Sequence, residues 1–100
     1  MFNTRLYEYG DLHYLNDISL KATGDPLPIE FWDQVSEHGG GVLIATHFDE
    51  PVGFLVWAPE GRFRRLVKIC LKPQFEGYGA DALLVRAFKF EAMKDGVPVV

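Results

Sequence analysis

The stretch best suited to chemistry reads strand, glycine-rich turn, helix: Leu66-Val67-Lys68-Ile69-Cys70-Leu71-Lys72-Pro73-Gln74-Phe75-Glu76-Gly77-Tyr78-Gly79-Ala80-Asp81-Ala82-Leu83-Leu84. The first turn of a helix carries backbone N–H groups that lack an intrahelical acceptor, together with the positive end of the helix dipole. Glycine lets a backbone approach a ligand with no Cβ in the way. Over residues 73–81 the two features together suit a diphosphate. The same glycines equally suit a tight turn with no ligand, so this spacing alone leaves both readings open.

Proton-transfer candidates are sparser. A general base must reach its substrate directly or through one water. His47, Glu50 and Glu60 flank a predicted hairpin and its exit; each also reads as strand-end decoration. Cys70 reads as a small packing residue facing a cleft rather than as a nucleophile. Phe31, Trp32 and Trp57 suit either the core or the wall of a ligand pocket. His13 and His38 share no ligand spacing with other donors, so no metal site is expected.

The elements that must position these residues follow from period and punctuation. Residues 2–9 form a short first strand ended by Gly10. Asp11 is a good N-cap, and Leu12, Leu15, Ile18 and Leu20 follow at near-helical spacing. Gly24, Pro26 and Pro28 stop that helix, and a second spans 29–37. Residues 42–48 and 52–58 are β-rich and apolar on both faces, as in covered central strands. Asp49-Glu50-Pro51 joins them as a hairpin turn. Residues 65–71 form a further strand, with Val67, Ile69 and Leu71 on one face and Leu66, Lys68, Cys70 and Lys72 on the other. A helix over 80–94 clusters Ala80, Leu83, Leu84, Ala87 and Phe88 on one side. Asp95-Gly96 ends it and a strand begins at 97–100. The order is β-α-α-β-β-β-α-β.

One hundred residues suit one domain, 1–100, and 48% hydrophobic residues give it enough core to exclude disorder. A formal charge of −4 argues against a nucleic-acid partner. Residues 1–60 hold ten acids and two bases, whereas 61–100 hold eight bases and four acids. Five of those bases, Arg62, Arg64, Arg65, Lys68 and Lys72, fall within eleven residues, either as a patch that attracts a small polyanion or as ordinary surface charge. One cysteine permits no internal disulfide and fits a reducing compartment. Without a signal-peptide pattern or a bilayer-length apolar run, a soluble, cytoplasmic protein with no membrane partner is expected.

At the loop the sequence resembles the GCN5-related N-acetyltransferase (GNAT) superfamily. Ile69-Cys70-Leu71-Lys72-Pro73 is similar to the family's strand end, Gln74-Phe75-Glu76-Gly77-Tyr78-Gly79 satisfies its Gln-x-x-Gly-x-Gly loop, and Ala82-Leu83-Leu84 is similar to its helix start. Asp49-Glu50-Pro51-Val52-Gly53-Phe54 resembles the turn into its third strand. Anchored on Pro73 instead, the motif places Glu76 at the Gln/Arg position, Gly79 at the first glycine and Asp81 at the second, an acid beside a diphosphate.

The resemblance implies an α/β (α+β) GNAT-like fold: a mixed, mostly antiparallel sheet flanked by helices. It implies acetyl-CoA as cosubstrate, with a small-molecule or protein amine attacking the thioester directly in a ternary complex. Strand 65–71 would splay from 97–100, and pantetheine would bond the backbone of Ile69, Cys70 and Leu71. The diphosphate would lie on the amides of Gln74, Phe75, Glu76, Gly77, Tyr78, Gly79 and Ala80, and a backbone N–H near Ile69 or Cys70 would polarise the acetyl carbonyl. The family fold continues with another helix and two strands, so the sequence reads as C-terminally incomplete, or as a chain whose edge is covered by a homo-oligomer partner or a second protein. A non-catalytic GNAT-fold module that binds partners is the alternative function.

Overall fold

The computed structural model describes residues 1–28 and 30–100. Four antiparallel strands form one sheet in the order β1-β2-β3-β4. They are β1 (Phe2–Leu6), β2 (Gly41–His47), β3 (Glu50–Glu60) and β4 (Phe63–Leu71). Helices α1 (Leu12–Thr23) and α2 (Phe31–Glu37) lie between β1 and β2 in the chain, and α3 (Ala80–Lys94) follows β4. The expected second helix begins at Ile29, outside the described residues. The architecture is α+β: a four-stranded antiparallel sheet flanked by helices.

Alternation along the strands makes the sheet two-faced and places a core on each side. Val42, Ile44, Phe54, Val56 and Cys70 meet Leu15, Ile18 and Phe31 of α1 and α2. Leu43, Ala45, Val52 and Leu55 meet Leu84 and Phe88 of α3. Both faces of β2 and β3 are thus covered, as their continuous apolar runs predict.

Two bulges adjust that alternation. One, at Ala45/Thr46, leaves Val52 unpaired with β2, and Val52 joins the α3 face rather than the face of Phe54. The other, at Val56/Trp57, leaves Val67 as the extra residue of β4. Leu66 therefore packs on the α3 face with Ile69 and Leu71, not with Lys68 and Cys70 as strict alternation predicts. Val67 is left half exposed.

The β2–β3 turn is tighter than expected. It consists of Phe48 and Asp49 alone, with φ of 49° and 68°, and Glu50 and Pro51 already belong to β3. Two left-handed residues match the twist of a two-residue hairpin. At the other end of the chain, 97–100 forms one parallel bridge, Arg64 to Val99, instead of a strand. Arg64 N–H donates to the Pro98 carbonyl at 2.9 Å and Val100 N–H to the Arg64 carbonyl at 2.9 Å.

Asp11 also departs from expectation. It stands at the N-cap of α1, but its side chain bonds no α1 amide. It accepts from the Glu8 N–H at 2.8 Å and from both Nη atoms of Arg5, closing a short 3-10 turn (Tyr9–Asp11) ahead of the helix.

Candidate active site

β4 is an edge strand, and its pairing decides which of its backbone groups remain free. Lys72 N–H donates to the Val52 carbonyl at 2.8 Å. A Cβ on Gly53 would lie 2.9 Å from the Cys70 carbonyl oxygen, so that oxygen also faces β3. In an antiparallel ladder alternate residues turn their polar groups to opposite edges. The N–H and C=O of Ile69 and Leu71 therefore face the open edge. The nearest bridge on that edge is at Arg64, roughly 16 Å down the strand from Ile69.

Beyond β4 the chain makes a 3-10 turn (Pro73–Phe75) and then a left-handed step into α3. Phe75 N–H donates to the Lys72 carbonyl and Glu76 N–H to that of Pro73. These two amides are spent on the turn. The next six are not: among the described residues, the backbone N–H groups of Gly77, Tyr78, Gly79, Ala80, Asp81 and Ala82 have no hydrogen-bond acceptor. The first bond of α3 is Leu83 N–H to the Gly79 carbonyl at 3.0 Å. Gly77 and Gly79 hold φ of 84° and 91°, a region that strains any residue with a Cβ, and nothing lies within 4 Å of where that Cβ would be. The glycines therefore serve the backbone path and leave open space in front of the amides.

Between the β4 edge and α3 lies a groove of about 500 Å³ lined by Ile69, Asp81, Ala82, Val85, Arg86 and Lys89. Two of its lining residues, Asp81 and Ala82, are among those whose backbone N–H groups have no acceptor. Val85 gives it an apolar wall, and Arg86 and Lys89 place two cations along it. Sequence reasoning passed over these side chains, although 82, 85, 86 and 89 recur at the i, i+3, i+4, i+7 spacing of one helix face. Asp81 adds one carboxylate at the same helix end, where the dipole favours an anion.

The cationic cluster of 62–72 is divided rather than joined. Arg64 lies 4.2 Å over the Trp57 ring and pairs with Asp95 at 2.8 Å. Arg65 pairs with Glu60 at 3.3 Å. Lys72 is buried on the α1 face, with Asp17 at 3.6 Å and Glu50 at 3.5 Å. None of the three lines the groove; strand alternation sends neighbouring residues to opposite faces.

The three proton-transfer candidates do not converge. Glu60 pairs with Phe63 at the far end of the β3–β4 hairpin from the loop. Glu50 is exposed and turned to Lys72. His47 sits in an aromatic cluster, 5.2 Å from both Phe2 and Phe75 by ring centroid. Cys70 does not face the cleft. It is buried against Phe54 and its neighbours, and burial pushes its thiol pKa up, away from the thiolate a nucleophile needs. Phe31 is core. Trp57 is half-buried and packs against the α3-side core beneath Arg64. Trp32 lines a separate cavity near β1. Among the described residues, no group of three His, Cys, Asp or Glu side chains is placed to hold a metal. No helix among them is long and apolar enough to cross a membrane.

No known protein-family profile and no curated protein matches the chain. Solved structures do. The ribosomal-protein-S18-alanine N-acetyltransferase from Escherichia coli superposes with a TM-score of 0.84 at 18% identity, over 97% of this chain and 63% of that one. A GNAT family acetyltransferase from Elizabethkingia anophelis with acetyl-CoA bound gives 0.73 at 19% identity, over 96% and 60%. A GNAT family acetyltransferase from Brucella melitensis in complex with acetyl-CoA gives 0.80 at 15% identity, over 97% and 71%. The chain thus spans 60% to 63% of the length of the first two. The chain carries the fold of the GNAT acetyltransferases.

Proposed function

We propose that this protein binds acetyl-CoA in the groove between β4 and α3 and transfers its acetyl group to a primary amine. One observation carries the reading: among the described residues, six consecutive amides without acceptors, 77–82, follow a β4 edge that is free at Ile69 and Leu71. A diphosphate needs several convergent donors in a glycine-shaped cradle, and a helix N-terminus supplies them. A pantetheine arm carries amides of its own, which an unpaired strand edge can bond as a further strand would. Ile69 and Leu71 offer those groups. Two structures of the same fold hold acetyl-CoA, which supports the assignment.

Bound acetyl-CoA would supply the thioester that the amine attacks in a ternary complex. The chain's own contribution is positioning and polarisation. An outward N–H of β4 near Ile69 would donate to the acetyl carbonyl and hold the negative charge that develops on its oxygen. Val85 would exclude water from one side of the arm. Arg86 and Lys89 would face the phosphates, and the amides of residues 77–82 would orient them. Asp81 works against this set, because its carboxylate competes for the same helix end.

Titration calorimetry with acetyl-CoA, followed by thiol release over a panel of amines, tests the proposal. Saturable binding with turnover of at least one amine is the expected result. No heat with acetyl-CoA or CoA would remove the cofactor assignment. Binding without thiol release on any amine would leave a cofactor-binding module and remove the transferase.

A further inference from the structure

A second cavity lies away from the β4 edge. It measures about 780 Å³, and Tyr7, Tyr9, His13, Asn16, Trp32 and Asp33 supply its polar and aromatic lining. Tyr7 follows β1, bonded through its N–H to the Val42 carbonyl at 3.1 Å. The sheet order puts β1 three strands from β4, roughly 14 Å across the ladder. α1 and α2 cover one face of the sheet and α3 the other. The cavity is therefore separate from the groove assigned to the cofactor.

Its chemistry is one-sided. Tyr7 and Trp32 stack with ring centroids 4.2 Å apart and planes 27° apart, a pair already fixed by the fold. Neither lysine nor arginine is among the lining residues. Asp33 is, and Glu8 and Glu30 adjoin lining or neighbouring segments in the chain. The nearby cation, Arg5, is committed to Asp11 through two hydrogen bonds. Asn16 is likewise engaged, its Oδ1 accepting from the Leu27 N–H at 2.9 Å. Asp33 is thus the one acidic side chain of the lining, with no lysine or arginine beside it there. An ammonium group matches the aromatic pair and the carboxylate together, because aromatic rings attract ammonium groups and a carboxylate at the rim adds to that attraction.

We propose that this cavity is a second binding site, for a small alkylammonium ion, formed by the Tyr7–Trp32 pair with Asp33 at its rim. The site is independent of the acetyl-CoA reading.

Choline and its neutral carbon isostere 3,3-dimethylbutan-1-ol distinguish charge from bulk. Titration of the isotopically labelled protein, followed by nuclear magnetic resonance and without acetyl-CoA, reads both. Choline is expected to shift the Trp32 indole N–H and the Tyr7 and His13 amides saturably, with the isostere weaker by about tenfold. Trp32→Leu should weaken choline by about tenfold, and Asp33→Asn by about threefold. Absence of saturable shifts at these residues overturns the proposal. So does equal affinity for the isostere, which would leave an apolar cavity only, or choline affinity unchanged in Asp33→Asn. Asp33 is exposed, so that variant folds even if Trp32→Leu does not. Loss of acetyl-CoA binding would leave every one of these outcomes unaltered.

Discussion

Arg5 grips Asp11 through two parallel hydrogen bonds, Nη1 to Oδ2 at 2.7 Å and Nη2 to Oδ1 at 2.8 Å. The pair ties the strand β1 to the start of α1, and Asp11 is buried while the Arg5 side chain is 37% exposed. The guanidinium bonds hold the Asp11 carboxyl below its ordinary pKa, against an opposing effect of burial and with help from the Glu8 N–H. Asp11→Asn should therefore cost about 1–2 kcal/mol, with solvent screening of Arg5 keeping it toward the low end. The pH sign follows from the depressed folded value: the stabilisation is complete above the unfolded carboxylate's 3.8 and is lost as pH falls through the lower folded value. Chemical denaturation of both proteins at pH 7 and below pH 4 checks this, and the gap between them should narrow in acid.

Gly77 and Gly79 give a test in which fold and binding separate. Each has a positive φ and open space at its missing Cβ, so valine there strains the backbone without striking a neighbour. Left-handed strain costs about 1–2 kcal/mol per residue. Gly79→Val should remain folded with a lowered melting temperature, while calorimetry shows acetyl-CoA affinity reduced by at least about tenfold as the chain leaves the path that points its amides outward. Unchanged affinity would show that these amides hold no phosphate.

Asp81, Arg86 and Lys89 share one groove and should move affinity in opposite directions. Asp81→Asn removes the anion that competes at the N-terminus of α3 and should tighten acetyl-CoA by a few fold, about 0.3–1 kcal/mol. Arg86→Gln combined with Lys89→Gln should weaken it, and should flatten the salt dependence of binding, because these exposed charges act through screened attraction. Calorimetry at two ionic strengths reads both effects.

Gly53 sits where β3 cannot hold a side chain. A Cβ there would come 2.3 Å from Leu71 Cδ2 and 2.9 Å from the Cys70 carbonyl oxygen. The oxygen belongs to the backbone and cannot swing aside, so β4 must shift. Gly53→Ala should cost about 1–3 kcal/mol by thermal or chemical denaturation. It should also perturb amide resonances of residues 69–72 more than those of α2.

How much of this was legible beforehand varies with the range of the interaction. Val42 to Ala45 and Phe54 to Val56 are apolar in succession, and that local pattern alone specifies covered central strands. Gly77 and Gly79 ahead of Ala80 specify a turn into a helix for the same local reason. The loop register stayed open between Gln74 and Glu76, since both choices place the two glycines in the cradle. Spending the Phe75 and Glu76 amides on the 3-10 turn removes two of the donors the motif suggests and leaves the unbroken run of free ones on residues 77–82.

What the chain's own order determined was the sequence of elements, the two-sided core of its sheet and the glycine-shaped entry to α3, because each arises from residues a few positions apart. Tertiary structure decided which charges meet. It turned Lys72 inward to Asp17 and Glu50, set Arg64 over Trp57, and brought Arg86 and Lys89 beside Ile69, seventeen or more positions earlier in the chain. It also placed the bulge at Val67 that moves Leu66 to the other face. Those outcomes depend on strand register and on how helices cross a sheet, and neither is written in the spacing of neighbouring residues.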